Sequence, residues 1–153
     1  MPEVSPERIR YTRISPDAYR SFSGLEDYLG TCGLEPRLLE LVRLRASIIN
    51  GCTYCVQMHS HDALKGGERT ERLFQLNVWA ESPVFSARER AALAWTDAVT
   101  LVASSHAPDD VYAMARREFS EKELVDLTWA IVAINGWNRM AISFRTPPAL
   151  PKA

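Results

Sequence analysis

The sequence predicts an all-α fold. Apolar residues recur at intervals of three and four along most of the chain, the spacing that places side chains on one face of a helix. Seven glycines and nine prolines interrupt this pattern at intervals that suit helix ends. No segment shows the alternation of apolar and polar residues that is typical of a half-buried strand. We therefore expect about six to seven helices.

Three helices are predicted in the first half of the chain, over residues 16–30, 36–50 and 53–64. Proline suits the first turn of a helix, because its missing N–H would be unpaired there. This places helix starts at Pro16, after a capping Ser15, and at Pro36. Asn50-Gly51 and Gly66-Gly67 can adopt the left-handed conformation that ends a helix.

The second half predicts a further set of helices. Thr70 can cap a short one, and Pro108–Phe119 fits another. Ser86–Glu89 and Ser120–Glu123 both match the capping box, in which serine and glutamate bind each other's free backbone amides. An apolar run with helical spacing follows each box, so each predicts a helix start.

One domain is expected over residues 1–153, with a core of about 15–145. A chain of this size can bury roughly 70% of its unfolded surface, so it needs no disulfide staples or structural metal. The ending TPPALPKA, residues 146–153, suits neither helix nor sheet, and we expect a flexible tail there.

Composition and charge exclude several classes of partner. With 18 Lys and Arg residues against 19 Asp and Glu residues, the chain lacks the positive field that gathers phosphates, which excludes nucleic acid. The longest uncharged apolar run, residues 127–138, is shorter than the ~20 residues that a bilayer span needs, which excludes a membrane protein. The first residues, MPEVSPERIR, do not resemble a signal peptide, so we expect a cytoplasmic protein.

The segment Asn50–His59 carries the chemistry. Cys52 and Cys55 are three residues apart, and His59 lies four residues after the second cysteine. On a helix that starts near Thr53, Cys55 and His59 share a face. Cys52 would lie at the helix N-terminus, where free amides and the helix dipole favour a thiolate. The arrangement can hold a reactive thiol, a second thiol and a base.

The spacing alone leaves three interpretations open: redox chemistry, a zinc site and coincidence. A closed zinc site needs four ligands, and Cys52, Cys55 and His59 supply three. The fourth would have to come from Glu40 or from water. The third cysteine, Cys32, has no partner nearby in sequence and is expected to be inert.

The run Leu38–Gly67 resembles the core of the AhpD-like alkylhydroperoxidases, in the carboxymuconolactone decarboxylase superfamily. Three features carry the resemblance: Glu40, twelve residues before the first cysteine, the Cys52/Cys55 pair, and His59. The segments Ser86–Thr100 and Ile134–Ile142 are similar to the single-core members of this family.

This resemblance implies a thiol peroxidase that works without haem or metal, so no cofactor is expected. Cys55 would attack a hydroperoxide and become a sulfenic acid, and Cys52 would condense with it to a disulfide. A dithiol such as dihydrolipoamide, or a protein thiol, would reduce that disulfide. Glu40 and His59 would form a proton relay, and the protein would assemble as a homotrimer or homohexamer.

The sequence departs from the family at one position. The best-studied peroxidase members carry a second histidine directly before the second cysteine, where this chain has Tyr54. A phenol with a pKa of ~10 is a poor base at neutral pH, so the relay would run through His59 alone. This favours an alternative function, a redox-sensing or disulfide-exchange module with little peroxidase turnover.

Other polar residues near the motif are assigned no chemistry. His61 and Asp62 are expected to project away from Cys55 into solvent. The segment Trp137–Arg139 is expected to line the site or an oligomer contact by resemblance, although its spacing also suits ordinary core and surface positions.

Overall fold

The computed structural model describes residues 5–148 and confirms the all-α class: this part of the chain contains nine helices and no strand. A single 3-10 turn, Leu76–Val78, follows the fifth helix. In chain order the helices are α1 (Tyr11–Ile14), α2 (Pro16–Leu29), α3 (Pro36–Asn50), α4 (Thr53–Lys65), α5 (Thr70–Gln75), α6 (Ala87–Thr100), α7 (Val102–Ser105), α8 (Asp109–Glu118) and α9 (Glu121–Phe144).

The described part of the chain has more helices than the predicted six to seven because it contains two short ones. α1 and α7 have four residues each, which is too short for a periodic pattern to appear in the sequence. The apolar spacing after Ser86 continues through Leu93, Trp95, Val99 and Val102, which predicts one helix over that stretch. It breaks instead at Leu101, where the backbone leaves helical geometry between α6 and α7.

The helix caps are partly as predicted. Both capping boxes form: the Ser86 hydroxyl accepts from the Glu89 amide while the Glu89 carboxylate accepts from the Ser86 amide, and Ser120 with Glu123 does the same. The expected cap at Ser15 is wrong, because its side chain makes no capping hydrogen bond, although α2 does begin at Pro16. Thr70 is also not a cap, since it is the first residue of α5 itself.

The core lies between the long helices. α3 packs against α4, α6 and α9, and α2 crosses α9. Gly136 in α9 makes that crossing close, because a Cβ atom there would lie 2.5 Å from the ring of Phe22. The largest fully buried apolar side chains come from α2, α3, α6, α9 and the 3-10 turn: Leu29, Leu41, Val42, Leu76, Leu93, Leu127, Ile131 and Ile134.

A buried polar network fixes the turn between α3 and α4 against α9. The Asn50 side-chain amide donates to the side-chain oxygens of Asn135 and Asn138, at 3.0 and 2.9 Å. Asn138 in turn donates to the Ser47 hydroxyl at 3.0 Å. Gly51 adopts the left-handed conformation, with φ of 71°, that the turn requires. The start of α4 is therefore held in place from two sides.

The two ends of the described chain meet beside α4. The Arg8 amide donates to the Phe144 carbonyl at 2.9 Å, and the Arg8 guanidinium donates to the Ser143 carbonyl. The ring of Tyr11 packs on that of Phe144 with centroids 5.7 Å apart. Of the predicted tail, residues 146–148 are non-helical, and residues 149–153 lie outside the described residues.

None of the helices in the described range is both long enough and apolar enough to cross a membrane.

Candidate active site

The cysteine pair lies at the start of α4, as the sequence predicted. Cys52 is the N-cap residue, and its sulfur accepts a hydrogen bond from the Cys55 amide at 3.3 Å. The two side chains form a disulfide, with Cα atoms 5.3 Å apart. Both are buried, in a cluster with Ala46 and Ile134. A CxxC pair at a helix N-terminus can therefore close into a disulfide without rearrangement of the backbone.

The structure brings Glu40 and His59 into direct contact. Glu40 comes from α3 and His59 from α4, and the Nδ1 atom of His59 lies 2.8 Å from Oε2 of Glu40. His59 is buried and Glu40 is mostly buried. An ionised carboxylate can only accept, so Nδ1 carries the proton. The other ring nitrogen, Nε2, is thereby left to take up or release a proton.

A chain of charged and polar groups continues beyond Glu40. The Arg43 guanidinium donates to Oε1 of Glu40 and to Oε2 of Glu26, both at 2.7 Å. The indole N–H of Trp137 donates to Oε1 of Glu26 at 3.0 Å. Arg43 therefore links α2 to α3, and Trp137 links α9 to the same network. This arrangement fixes the carboxylate that holds His59.

The pKa of Glu40 lies below its ordinary value. Burial acts to raise the pKa, but the hydrogen bond and charge of His59, together with the Arg43 guanidinium, outweigh it. Glu40 is therefore ionised at neutral pH, as its role as acceptor from Nδ1 of His59 requires.

A cavity of about 610 Å³ opens onto one of the two cysteines. Cys55, His59 and Glu40 border it, whereas Cys52 does not. Tyr54 and Trp137 also line this cavity. A second cavity, of about 490 Å³, borders Glu40 on its other side and touches neither cysteine. A molecule in the larger cavity would meet Cys55 first.

The structure corrects one prediction about the neighbouring residues. Asp62 is exposed to solvent, as expected, but it does not point away from the site, because one of its carboxylate oxygens lies within 4.8 Å of ligand atoms of Glu40 and His59. His61 is exposed, as predicted. The helix angle explains the difference, because Asp62 is three residues after His59 and so shares its face.

The remaining predicted residues divide between the site and other places. Trp137 lines the cavity, whereas Asn138 is fully buried in the polar network that holds the α3–α4 turn. Arg139 bonds back to Asn135 on its own helix. Cys32 is a free, half-buried thiol in the segment that connects α2 to α3.

Sequence reasoning missed Arg43 and Glu26. Arg43 does not belong to the apolar pattern that marks the buried face of α3, although its side chain is only 13% exposed. The available signal was its position three residues after Glu40, the spacing of a helical ion pair. Nothing in the sequence pointed to Glu26, because it reaches the site only through the packing of α2 on α3 and α9.

Three side chains could offer ligands to a metal ion: Glu40, His59 and Asp62. Both oxygens of Glu40 are already bound, one by Arg43 and one by His59. A cation there would lie close to the Arg43 guanidinium, and the two positive charges would repel each other. The zinc set considered from the sequence differs, since it requires both cysteines as thiolates, and in the structure they form a disulfide.

The fold is all-α, and its site combines a cysteine pair at a buried helix start with a histidine that is bound by a carboxylate. These features define a class of helical proteins built around a thiol pair. The chain belongs to the carboxymuconolactone decarboxylase family, which matches residues 16–98, and it is an AhpD-like member. It is 35% identical over 137 residues to the uncharacterized protein YdfG of Bacillus subtilis, covering 90% of this chain and 93% of YdfG.

Solved structures agree with this assignment. A protein of unknown function from Agrobacterium tumefaciens, provisionally assigned as the antioxidant defence protein AhpD, is 44% identical with a TM-score of 0.93; the match covers 95% of this chain and all of that one. The debrominase Bmp8 is 21% identical with a TM-score of 0.81, over 90% of this chain and 74% of Bmp8. At that identity, Bmp8 shows a shared fold alone.

Proposed function

We propose that this protein is a thiol-dependent peroxidase that reduces hydroperoxides through Cys55 and Cys52. The observation that supports this most directly is that Cys55 borders a large cavity beside the paired His59 and Glu40, while Cys52 does not. The AhpD-like relatives support the same class of reaction.

In the first step, Nε2 of His59 takes the proton from the Cys55 thiol. The thiolate sulfur attacks the distal oxygen of the hydroperoxide, so that an S–O bond forms and the O–O bond breaks. The protonated His59 then gives its proton to the departing alkoxide. The products are an alcohol and a sulfenic acid at Cys55, and Glu40 stabilises the transient imidazolium.

In the second step, the Cys52 sulfur attacks the Cys55 sulfenic sulfur. An S–S bond forms, the S–O bond breaks, and the hydroxide leaves with the Cys52 proton as water. The position of Cys52 at the N-terminus of α4, where its sulfur accepts an amide, favours its thiolate form. A dithiol, dihydrolipoamide-like or on a protein, then reduces the disulfide in two exchange steps and is itself oxidised.

Single-cysteine variants test this assignment of roles. After rapid mixing with cumene hydroperoxide, we expect Cys52→Ser to accumulate a sulfenic acid that dimedone traps, and Cys55→Ser to form none. Cys32→Ser is the matched control and should lose the Cys52 and Cys55 thiols at the wild-type rate. If both thiols persist in the reduced wild-type protein under excess peroxide, the peroxidase proposal is wrong.

Turnover separates this proposal from the alternative, a redox-sensing or disulfide-exchange module. Tyr54 beside Cys55 favours the alternative, because it leaves His59 as the one imidazole bordering the described cavity. With dihydrolipoamide or a thioredoxin system, a peroxidase consumes many equivalents of peroxide per chain. A sensor consumes about one and stops.

We also propose assembly as a homotrimer or homohexamer in the cytoplasm, where dithiol reductants are present. An exposed apolar stripe along α9 supports self-association: Val125, Trp129 and Val132 are between 42% and 55% exposed.

A further inference from the structure

The size of the cavity bears on the substrate. Cys55 is 1% exposed, and the cavity of about 610 Å³ that it lines gives a peroxide a route to its sulfur. One water molecule takes up ~30 Å³ of liquid volume, so hydrogen peroxide would leave most of this space unfilled. Pockets for organic ligands typically measure ~300–1,000 Å³. The cavity therefore has room for a hydroperoxide with a bulky organic group.

The walls of the cavity are aromatic. Tyr11, Tyr19, Tyr54 and Trp137 all line it, and Met58 adds a thioether. Tyr19 meets Trp137 edge to face, with ring centroids 5.6 Å apart. Burial, followed by the neighbouring phenols of Tyr54 and Tyr19, raises the pKa of Tyr11, so the Tyr11 side chain is uncharged at neutral pH. Such surfaces favour an aromatic ring by edge-to-face, stacked and sulfur contacts.

The charged groups of the cavity are mostly acidic. Of the described residues that line it, five carry carboxylates and two carry guanidinium groups: Glu7, Glu26, Asp27, Glu40, Asp62, Arg10 and Arg43. Arg10 is paired with Glu7 at 3.3 Å, and Arg43 is held between Glu26 and Glu40. Each cation already has a carboxylate partner, so Asp27 and Asp62 leave the cavity with a net negative charge.

From these observations we infer the substrate class: a neutral or cationic hydroperoxide that carries an aromatic ring, with anionic hydroperoxides rejected. This inference rests on the proposed peroxidase function. The ring would lie against Tyr11, Tyr19 and Trp137, with the peroxide group directed at Cys55. A carboxylate on the same ring would meet the carboxylates of Asp27 and Asp62.

A matched set of peroxides tests the inference. The rate constant for Cys55 oxidation is measured with cumene hydroperoxide, its para-carboxylate, the methyl ester of that carboxylate, and tert-butyl hydroperoxide. Each rate is divided by the rate of the same peroxide with a free thiol, which removes differences in intrinsic reactivity. We expect cumene hydroperoxide and the ester to exceed the carboxylate by about tenfold or more, because like charges repel in a partly enclosed cleft. We also expect cumene hydroperoxide to exceed tert-butyl hydroperoxide.

Variants test which side chains are responsible for the selectivity between these peroxides. Asp27→Asn combined with Asp62→Asn should reduce the ester-to-carboxylate ratio several-fold, and Tyr19→Ala should reduce the preference for the aromatic peroxide. Glu81→Gln combined with Asp109→Asn makes the same change of net charge at two exposed residues outside the cavity. It should leave both ratios unchanged.

Binding of the reaction product separates the two proposals. Cumyl alcohol should bind the reduced protein more tightly than its para-carboxylate, as measured by calorimetry, whether or not any peroxide is reduced. Equal binding and equal rates for the charged and neutral compounds overturn the substrate class and leave the peroxidase proposal intact. Selective binding with no oxidation of Cys55 by any peroxide overturns the peroxidase proposal instead.

Discussion

Arg43 offers the sharpest test of the charged network behind His59. Its guanidinium joins Glu40 and Glu26 through two hydrogen bonds of 2.7 Å. The substitution Arg43→Met keeps most of the apolar stem but removes the charge and both donors. It leaves two mostly buried carboxylates facing each other without a cation, so the folded state alone is destabilised.

The expected loss lies between two known limits. Breaking a fully buried ion pair costs ~3–5 kcal/mol, and breaking an exposed pair costs ~0.2–1 kcal/mol. The side chains of Arg43, Glu40 and Glu26 are 13%, 17% and 30% exposed, which is nearer the buried limit. We therefore expect Arg43→Met to lower the free energy of unfolding by about 2–3 kcal/mol. For a chain of this length that corresponds to a fall in Tm of about 5–10 °C.

Urea unfolding followed by circular dichroism measures this loss. Arg20→Met is the matched control, since Arg20 pairs with Asp17 on the exposed side of α2, with both side chains more than two-thirds exposed. It should cost less than ~0.5 kcal/mol. Arg43→Lys keeps the charge but lacks the planar fork, so it should fall between the two. Equal losses for Arg43→Met and Arg20→Met would refute the bridging role of Arg43.

Two further predictions concern packing and pH. Gly136→Ala should destabilise the protein by about 1–2 kcal/mol, although alanine is the better helix former. The new Cβ would lie 2.5 Å from the Phe22 ring, and that ring already packs against Trp137. Calorimetry would show this destabilisation as a fall in Tm. A rise in Tm would mean that the Phe22 ring can move aside without cost. The lowered pKa of Glu40 means that its stabilising contribution is complete above the ordinary value of 4.5 and is lost as the pH falls through the lower folded pKa. The stability difference between wild type and Glu40→Gln should therefore shrink as the pH falls below the ordinary value of 4.5, with the acids common to both proteins cancelling. A difference independent of pH would contradict this.

The local chemistry of the chain predicted much of the fold. The two capping boxes form as expected, and α2 and α3 both begin at their prolines. The left-handed Gly51 ends the α3 turn and sets Cys52 at the start of α4. These features depend on residues within one helical turn of each other. Side-chain and backbone preferences are enough to decide them.

Features that depend on packing between distant segments could not be predicted in the same way. The break at Leu101 between α6 and α7 has no glycine or proline to mark it. Glu26 reaches Arg43 only because α2 crosses α9 at Gly136. The burial of Asn138 likewise depends on how α9 meets the end of α3.

The sequence by itself determined the helical class and the positions of Cys52, Cys55 and His59 on one short helix, because helical geometry fixes the relation of residues three and four apart. Only the tertiary structure decided which cysteine faces the cavity and that Arg43 and Glu26 support the carboxylate that holds the imidazole. It also decided that aromatic and acidic side chains surround the thiol. Those relations join α2, α3, α4 and α9, and distances between helices are set by the packing of buried side chains rather than by spacing along the chain.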